Sequence, residues 1–450
     1  MTSRDVLPRV LVVALGRINA QDSYNNGLLL RNLFGSWPRD KIAQIYSSAD
    51  NGDKGYFSSY YRIGACDRRF GSFFYNFKIN QENLLKNDIT YSNKQFFDIG
   101  IRRKIKNIVK LLFIDTGIYE LIFCPKISKK MISWIENYNP DIILAQGYNL
   151  TFTLLPLLLK QKIGVKLSFF ATDDWPTYLY SGQLGEPIIF RWLMRPIVKN
   201  IVNRLFSEVD APFAFCQPMA DEYALRYGKK FIVLNHLDSP LRFKKAEPHR
   251  IYSHEVITII VIGNYNRYRW PLLLDVNDAC HELHTQGMNI RIVVLSSSIE
   301  PEGITALSLA PYIDLFPDPG NDLLPSYLKG ADILLLAEGF DSRFVSAIKL
   351  SVSSKAHLFM FSQRPIIVYS HPETGVARYA RAMGWAKLVT NRNTNELIEA
   401  IRCIVENKEK SKSLIEKAYE VGLKCHTSDV NAQRLIEGLS FSKAYREYSG

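Results

Sequence analysis

No Cys-x-x-Cys pair occurs in this chain, and its six cysteines (Cys66, Cys124, Cys216, Cys280, Cys403 and Cys425) stand singly. That spacing excludes a local zinc cluster, and the thiols read as reduced, partly buried small hydrophobes of a cytosolic protein. Long hydrophobic runs are also missing. The longest strongly apolar run, near Leu154–Leu159, falls far short of the roughly 20 residues a membrane span needs. Val10–Leu15 is too short for a secretory h-region and leads into a polar loop instead of a cleavage site. There is no GxGxxG after the first strand-like run, so nothing announces a dinucleotide. Basic residues are dispersed among hydrophobic segments and form no nucleic-acid motif, which ranks that class of partner last.

What is present is a large soluble chain. Its 450 residues predict two or three domains, and 47% hydrophobic with 22% charged residues is the balance of a globular protein. A formal net charge of +12 favours an anionic partner: a phosphorylated small molecule or an acidic lipid surface. Apolar runs at strand length alternate with helical patterns twice over. The first series runs from Arg9–Leu15 through Ile42–Tyr46, Ile142–Ala145 and Lys166–Phe170 to Pro212–Cys216. The second starts at Val256–Ile262 and ends at Ala386–Val389. Between them the polar stretch Asp238–Ser253 is the best linker candidate. The expectation is α/β: two Rossmann-like domains facing across a cleft, residues 1–237 and 254–420, with a helical tail at 421–450 packing back toward the first. Asn51–Pro125 is the least readable part, and holds a helix at Ile101–Ile114 with a basic cluster beside an apolar stripe. Such a helix either lies on an anionic membrane or packs on its own domain.

In an open parallel sheet, ligands sit beyond the carboxyl ends of the strands. The polar loop Ala337–Ser353 lies at such an end, before a helix expected to start near Ser354. Ser353, Ser354 and Lys355 would offer free N–H groups and a cation to a phosphate, although Ser354 could equally be an ordinary N-cap. Asp173 and Asp174, in ATDDWP, also follow a strand; they could act as a base or bind hydroxyls, or simply cap the next segment. Asn26-Gly27 would let polar groups approach the backbone, or form a plain turn and helix start.

Several stretches together resemble GT-B glycosyltransferases, especially the family-4-like group that builds bacterial surface polysaccharides. They are LLPSYLKGADILLL, Phe340-Asp341 followed by IKLSVSSK, RPIIVYSHPETGVARYARAMGWAKLV, DDWP and FCQPMADEYALRYGKKFIVLNH. The resemblance covers most of the chain apart from Asn51–Pro125. It implies a nucleotide-sugar donor in the second domain and an acceptor in the first. Arg267 and Arg269 match basic residues that meet the diphosphate, Gly263 lets the backbone come close, Ser296 and Phe316 would border the base, and Glu338 and Asp341 would face sugar hydroxyls. Asn26 and Gly27 fall on the acceptor side. The chain departs from the family pattern at Leu358, where an acidic residue often holds the ribose, at Ser346, which breaks an E-x7-E spacing, and at Thr172, where relatives place a histidine.

The expected activity is therefore hexosyl transfer from a nucleotide sugar to a hydroxyl of a glycan or lipid-linked acceptor, with retention on the resemblance alone. No metal or bound cofactor is expected, the nucleoside-diphosphate sugar being a co-substrate. The expected place is the cytoplasm, at the inner membrane face, in lipopolysaccharide or other polysaccharide biosynthesis. The alternatives are a nucleotide-sugar epimerase of the same form and a catalytically weak glycan-binding relative.

Overall fold

The computed structural model describes residues 7–19, 25–48, 55–70, 118–178 and 188–440, with the backbone alone at 25–26, 178 and 188–193. The expected basic helix Ile101–Ile114 and residues 441–450 of the expected tail lie outside the described residues.

Two parallel sheets form the chain's framework. The first holds β1 (Val10–Val13), β2 (Ile42–Tyr46), β3 (Ser59–Arg62), β4 (Ile142–Ala145), β5 (Lys166–Ala171), β6 (Ala211–Ala214) and β7 (Ile232–Val233), in the order β3-β2-β1-β4-β5-β6-β7. The second holds β8 (Ile257–Ile262), β9 (Ile290–Ser296), β10 (Ile313–Pro317), β11 (Ile333–Ala337), β12 (Ile366–Tyr369) and β13 (Lys387–Val389), in the order β10-β9-β8-β11-β12-β13. Both are the doubly wound arrangement, so the architecture is two Rossmann-like domains. The sequences fit this placement. Parallel strands are covered by helices on both faces and need continuous apolar runs; VLVV, IILA and ILLLA are buried along their whole lengths.

In each sheet the strand order reverses once, between β1 and β4 and between β8 and β11. Chains leaving the two strands at such a point diverge to opposite faces and leave a crevice between their first loops. In the second sheet β8 and β11 pair directly through Ile259 with Ile333 and Ile260 with Leu334. Gly263 and Glu338 are the first residues past these two strands.

The chain separates into two compact units, one of residues up to 234 and from 432 onward, the other of 235–431 with 216–218. The stretch Asp238–Ser253 is not slack linker but part of the second unit. It carries the helix Pro240–Lys245 and is fastened along its length. Arg242 pairs with Asp238 at 2.6 Å and donates to the Asn321 carbonyl, Lys329 Nζ reaches the Phe243 and Ala246 carbonyls, and Arg250 meets Asp332 with two 2.9 Å bonds. Arg242 and Arg250 serve these bonds, while Lys244, Lys245 and Glu247 of the same stretch are exposed. The helix Ser428–Ser440 ends against the first sheet's edge, where Arg434 donates to the Val233 carbonyl and Gly438 lies against Phe213 and Ile232.

At Gly330 the strap passes closest: a Cβ there would lie 1.9 Å from the His249 carbonyl oxygen. Backbone cannot step aside as a side chain can, so Gly330→Ala should cost about 1–3 kcal/mol. Gly16, with no atom within 4 Å of its Cβ position, is the control: Gly16→Ala should stay within about 0.5 kcal/mol. Urea unfolding of the two variants checks the contrast.

Candidate functional site

The crevice at the β8–β11 reversal collects four of the residues singled out from sequence. Gly263 takes φ +114°, a conformation that side-chain-bearing residues rarely adopt. Its missing side chain leaves room for Lys355: a Cβ on Gly263 would sit 2.1 Å from Lys355 Cε and 2.8 Å from Nζ. Arg269, at the start of the helix Trp270–Thr285, pairs with Glu338 at 2.6 Å, both side chains largely buried, and donates to the Asn264 carbonyl. Arg269 Nε is buried with no hydrogen-bond partner. Burial, reinforced by Arg269 and opposed by Glu338, pushes the Lys355 ammonium down to about 8. Two cations against one carboxylate leave a net positive charge in a partly buried crevice. The arrangement suits a small, doubly charged anion, which would satisfy Arg269 Nε and restore the proton affinity of Lys355.

The loop after β11 differs from its expected form. It contains the helix Ser342–Ile348, whose N-cap is Asp341: one carboxylate oxygen accepts from the backbone N–H groups of Arg343 and Phe344. Asp341 therefore serves as a cap through this one oxygen, and the residue is exposed. Phe344 from this helix stacks on Tyr268 at 5.2 Å and lies over Gly339, whose Cβ would meet it at 2.4 Å. The next helix is Ala356–Phe361, one residue pair later than expected, with Lys355 as N-cap and no side-chain cap bond. Ser354 is exposed and Ser353 gives only its carbonyl, to the Ala356 N–H. With six residues this helix has little dipole, so neither the serine cap nor an anion seat on a helix end describes the site. The charge comes from the Lys355 side chain.

Arg267 is not at the cluster. It is exposed, lies over the Tyr268 ring and donates to its hydroxyl at 3.0 Å. Arg269, not Arg267, is the cation beside Lys355. Ser296 closes a local turn with Ser298, and Phe316 is part-exposed at the end of β10. His371, past β12, was not expected from sequence. Its N–H reaches the Gly339 carbonyl and its Nδ1 accepts from the Glu373 N–H. Gly375 lies 2.3 Å, by its Cβ position, from the Ser351 carbonyl, tying the β12 loop to the Lys355 approach.

In the first unit Asp174 is buried within a closed network. It accepts from Tyr223 at 2.8 Å, Arg226 at 2.8 Å and Thr177 at 3.0 Å. Burial raises its pKa while Arg226, Tyr223 and Thr177 oppose the rise. Oδ1 accepts twice and Oδ2 once, so Asp174 ties Tyr223, Arg226 and Thr177 together at the end of β5. Asp173 is partly exposed beside it. Thr172, where the family pattern has a histidine, accepts from Gln146 at 3.4 Å and bonds the Tyr148 hydroxyl. Gln146, Tyr148 and Thr172 cluster beyond β4 and β5, and sequence gave no signal for them because each is an ordinary polar residue. Gly27 lies in the first turn of the helix Asn25–Leu33, and the side chain of Asn26 is outside the described residues.

No protein-family model matches the chain. Its fold is similar to that of sucrose-phosphate synthase from Thermosynechococcus elongatus, at 11% identity over 98% of each chain and a TM-score of 0.59. HepE from Anabaena, in complex with UDP-glucose, gives 12% identity over 96% of this chain and 100% of that one, with a TM-score of 0.54. WaaG, a glycosyltransferase involved in lipopolysaccharide biosynthesis, gives 9%, 96%, 100% and 0.52 in the same terms. At such identities the likeness establishes the fold, and that fold is GT-B.

The Asp174 network predicts its own disruption. Arg226→Ala leaves a buried carboxylate without its cation and should cost about 3 kcal/mol of first-unit stability. A thermal melt of the variant beside wild type checks this.

Proposed function

We propose that this chain is a glycosyltransferase that moves a hexose from a nucleoside-diphosphate donor to a hydroxyl of a glycan or lipid-linked acceptor. The observation that carries the reading is the convergence of Gly263, Arg269, Glu338 and Lys355 at the strand-order reversal of the second sheet. As the bond from the anomeric carbon to the diphosphate breaks, negative charge grows on the leaving oxygen. Fixed cations aimed at that charge lower the barrier without reorganising. Lys355, held against Gly263, would meet the diphosphate directly. Arg269 would meet it with the N–H groups that Glu338 does not hold, and Glu338 would fix the guanidinium plane. Retention of configuration is part of this proposal on the sequence resemblance alone. HepE is seen in complex with UDP-glucose, which makes that nucleotide sugar the first probe to try here.

The route to a surface polysaccharide or lipopolysaccharide is part of the same proposal, as is attachment to the anionic inner face of a membrane. The net charge of +12 supports the latter, and among the described residues no helix is long and apolar enough to cross a membrane. Co-sedimentation with vesicles containing phosphatidylglycerol should weaken as salt rises; no binding at low salt would remove the membrane step.

The donor site is tested by calorimetry with UDP. A charge-assisted hydrogen bond contributes about 1.5–3 kcal/mol, so Lys355→Ala should weaken UDP by roughly ten- to a hundredfold, with Arg267→Ala much nearer wild type. The Lys355 ammonium titrates near 8 in the free protein, and only its charged form holds the diphosphate. UDP affinity should therefore fall about tenfold per pH unit above 8, and Lys355→Arg, which stays charged, should abolish that fall. Unchanged affinity in Lys355→Ala would place the nucleotide elsewhere. Transfer of labelled glucose to acceptor, against epimerised donor alone or binding alone, separates the transferase from its alternatives.

A further inference from the structure

The chain's main entry into the second unit is at Asn235 and its exit is at Asn431, and these two ends form one ribbon. The Asn235 N–H donates to Asn431 Oδ1 at 2.8 Å, and both asparagine amides donate to the Cys425 carbonyl, at 3.2 and 2.9 Å. The Asp238 N–H donates to the His426 carbonyl at 3.0 Å, beside a parallel bridge between Asp238 and Thr427. Each end of the ribbon contributes a histidine, His236 on entry and His426 on exit.

Between their rings lies a third. His357 stacks on His236 at 5.6 Å and 20° and on His426 at 5.9 Å and 19°. It belongs to the helix Ala356–Phe361, two residues beyond Lys355. His426 Nδ1 reaches the His236 carbonyl at 2.6 Å, and a carbonyl can only accept, so Nδ1 carries the proton. His426 Nε2 shares a 3.0 Å hydrogen bond with the Tyr379 hydroxyl. His357 Nδ1 is buried with no hydrogen-bond partner. Near-parallel rings hold their nitrogens in separate planes, which does not suit convergence on one metal ion.

The charges facing the stack are cationic: Lys355 from the helix end, and Arg242 from the helix Pro240–Lys245, the latter paired with Asp238. Burial, then His426 and Lys355, pushes His236 down to about 3; burial, His236, His426 and Arg242 hold His357 well below its ordinary value. His236 and His357 in the folded stack therefore refuse protons that free imidazoles would take near pH 6.5.

We propose that the three stacked imidazoles are an acid-sensitive clasp that holds the Lys355-bearing helix onto the entry–exit ribbon, and that acidification releases helix and ribbon together. The sign follows from linkage. A histidine whose folded pKa is depressed contributes stability that is complete above 6.5 and is lost as pH falls below it. Each ring freed on opening raises the opening equilibrium about tenfold between pH 7.5 and 5.5, so freeing His236 and His357 together raises it about a hundredfold. The clasp goes beyond the donor reading and needs no ligand; only its effect on nucleotide binding rests on that reading.

Hydrogen–deuterium exchange on the ligand-free full chain, corrected for intrinsic rates, tests it at the two pH values. Amides of residues 356–361, 235–238 and 426–431 should lose protection together by about a hundredfold, with strands β8 and β9 much less affected. His357→Phe keeps a flat ring in the slot without a titrating nitrogen, and should reduce the acid response about tenfold. Should that variant fold poorly, His236→Phe makes the same forecast. Protection independent of pH, helix release without the ribbon, or a wild-type acid response in the folded phenylalanine variant would each overturn the clasp. UDP affinity at the same pH values is a separate arm. Absence of UDP binding at pH 7.5 counts against the donor site alone, because the exchange result decides the clasp without it.

Discussion

The reversal of strand order between β8 and β11 is the constraint on which the candidate site depends. Direct pairing of these strands brings together two loops 75 residues apart in sequence, from Gly263 to Glu338. Because their chains turn to opposite faces, the space between them stays open to a ligand. Gly263 then matters for a second reason beyond its backbone angle. Only a residue without a side chain leaves Lys355 a berth in the crevice.

Charge balance decides what that crevice can hold. Burying Lys355 beside Arg269 is unfavourable in itself, since desolvation and like charge act in the same direction. Glu338 offsets part of this by pairing with Arg269. It does not neutralise both cations, so a diphosphate would complete the balance. The contrast with Asp174 is instructive. There a buried carboxylate has a cation, a phenol and a hydroxyl around it, all supplied by the fold. The same kind of residue at the same kind of strand end thus serves the fold in one unit and, on our reading, a ligand in the other.

The histidine stack adds a mechanical link to this site. Lys355 stands at the start of a helix too short to hold its own position by hydrogen bonding alone. The His357 ring fixes it against chain segments that are themselves cross-bonded. Site geometry and the integrity of the unit's entry and exit are then maintained by the same buried layer.

By itself the sequence determined the α/β class and most strand positions, because runs such as VLVV, IILA and ILLLA are the continuous apolar stretches that doubly covered parallel strands require, whereas the half-exposed edge strands β3 and β10 carry no such run. It also marked the strand-end loops and Lys355, while Gly263, Arg269 and Glu338 were singled out through the resemblance of those loops to the glycosyltransferase pattern. Tertiary structure alone decided which of these meet. Arg267 and Arg269 look equivalent in sequence, yet the start of the helix Trp270–Thr285 directs one to Glu338 and leaves the other in solvent over Tyr268. Asp341 and Asp174 look like site acids, and their roles as cap and anchor depend on N–H, hydroxyl and guanidinium partners up to 52 residues away. The stretch Asp238–Ser253 reads as a linker from its polarity, but its Arg242 and Arg250 bond to residues about 80 positions later and make it part of the second unit. His236, His357 and His426 are unremarkable singly; pairing distance, burial and a fixed tautomer exist only once three distant segments are packed together.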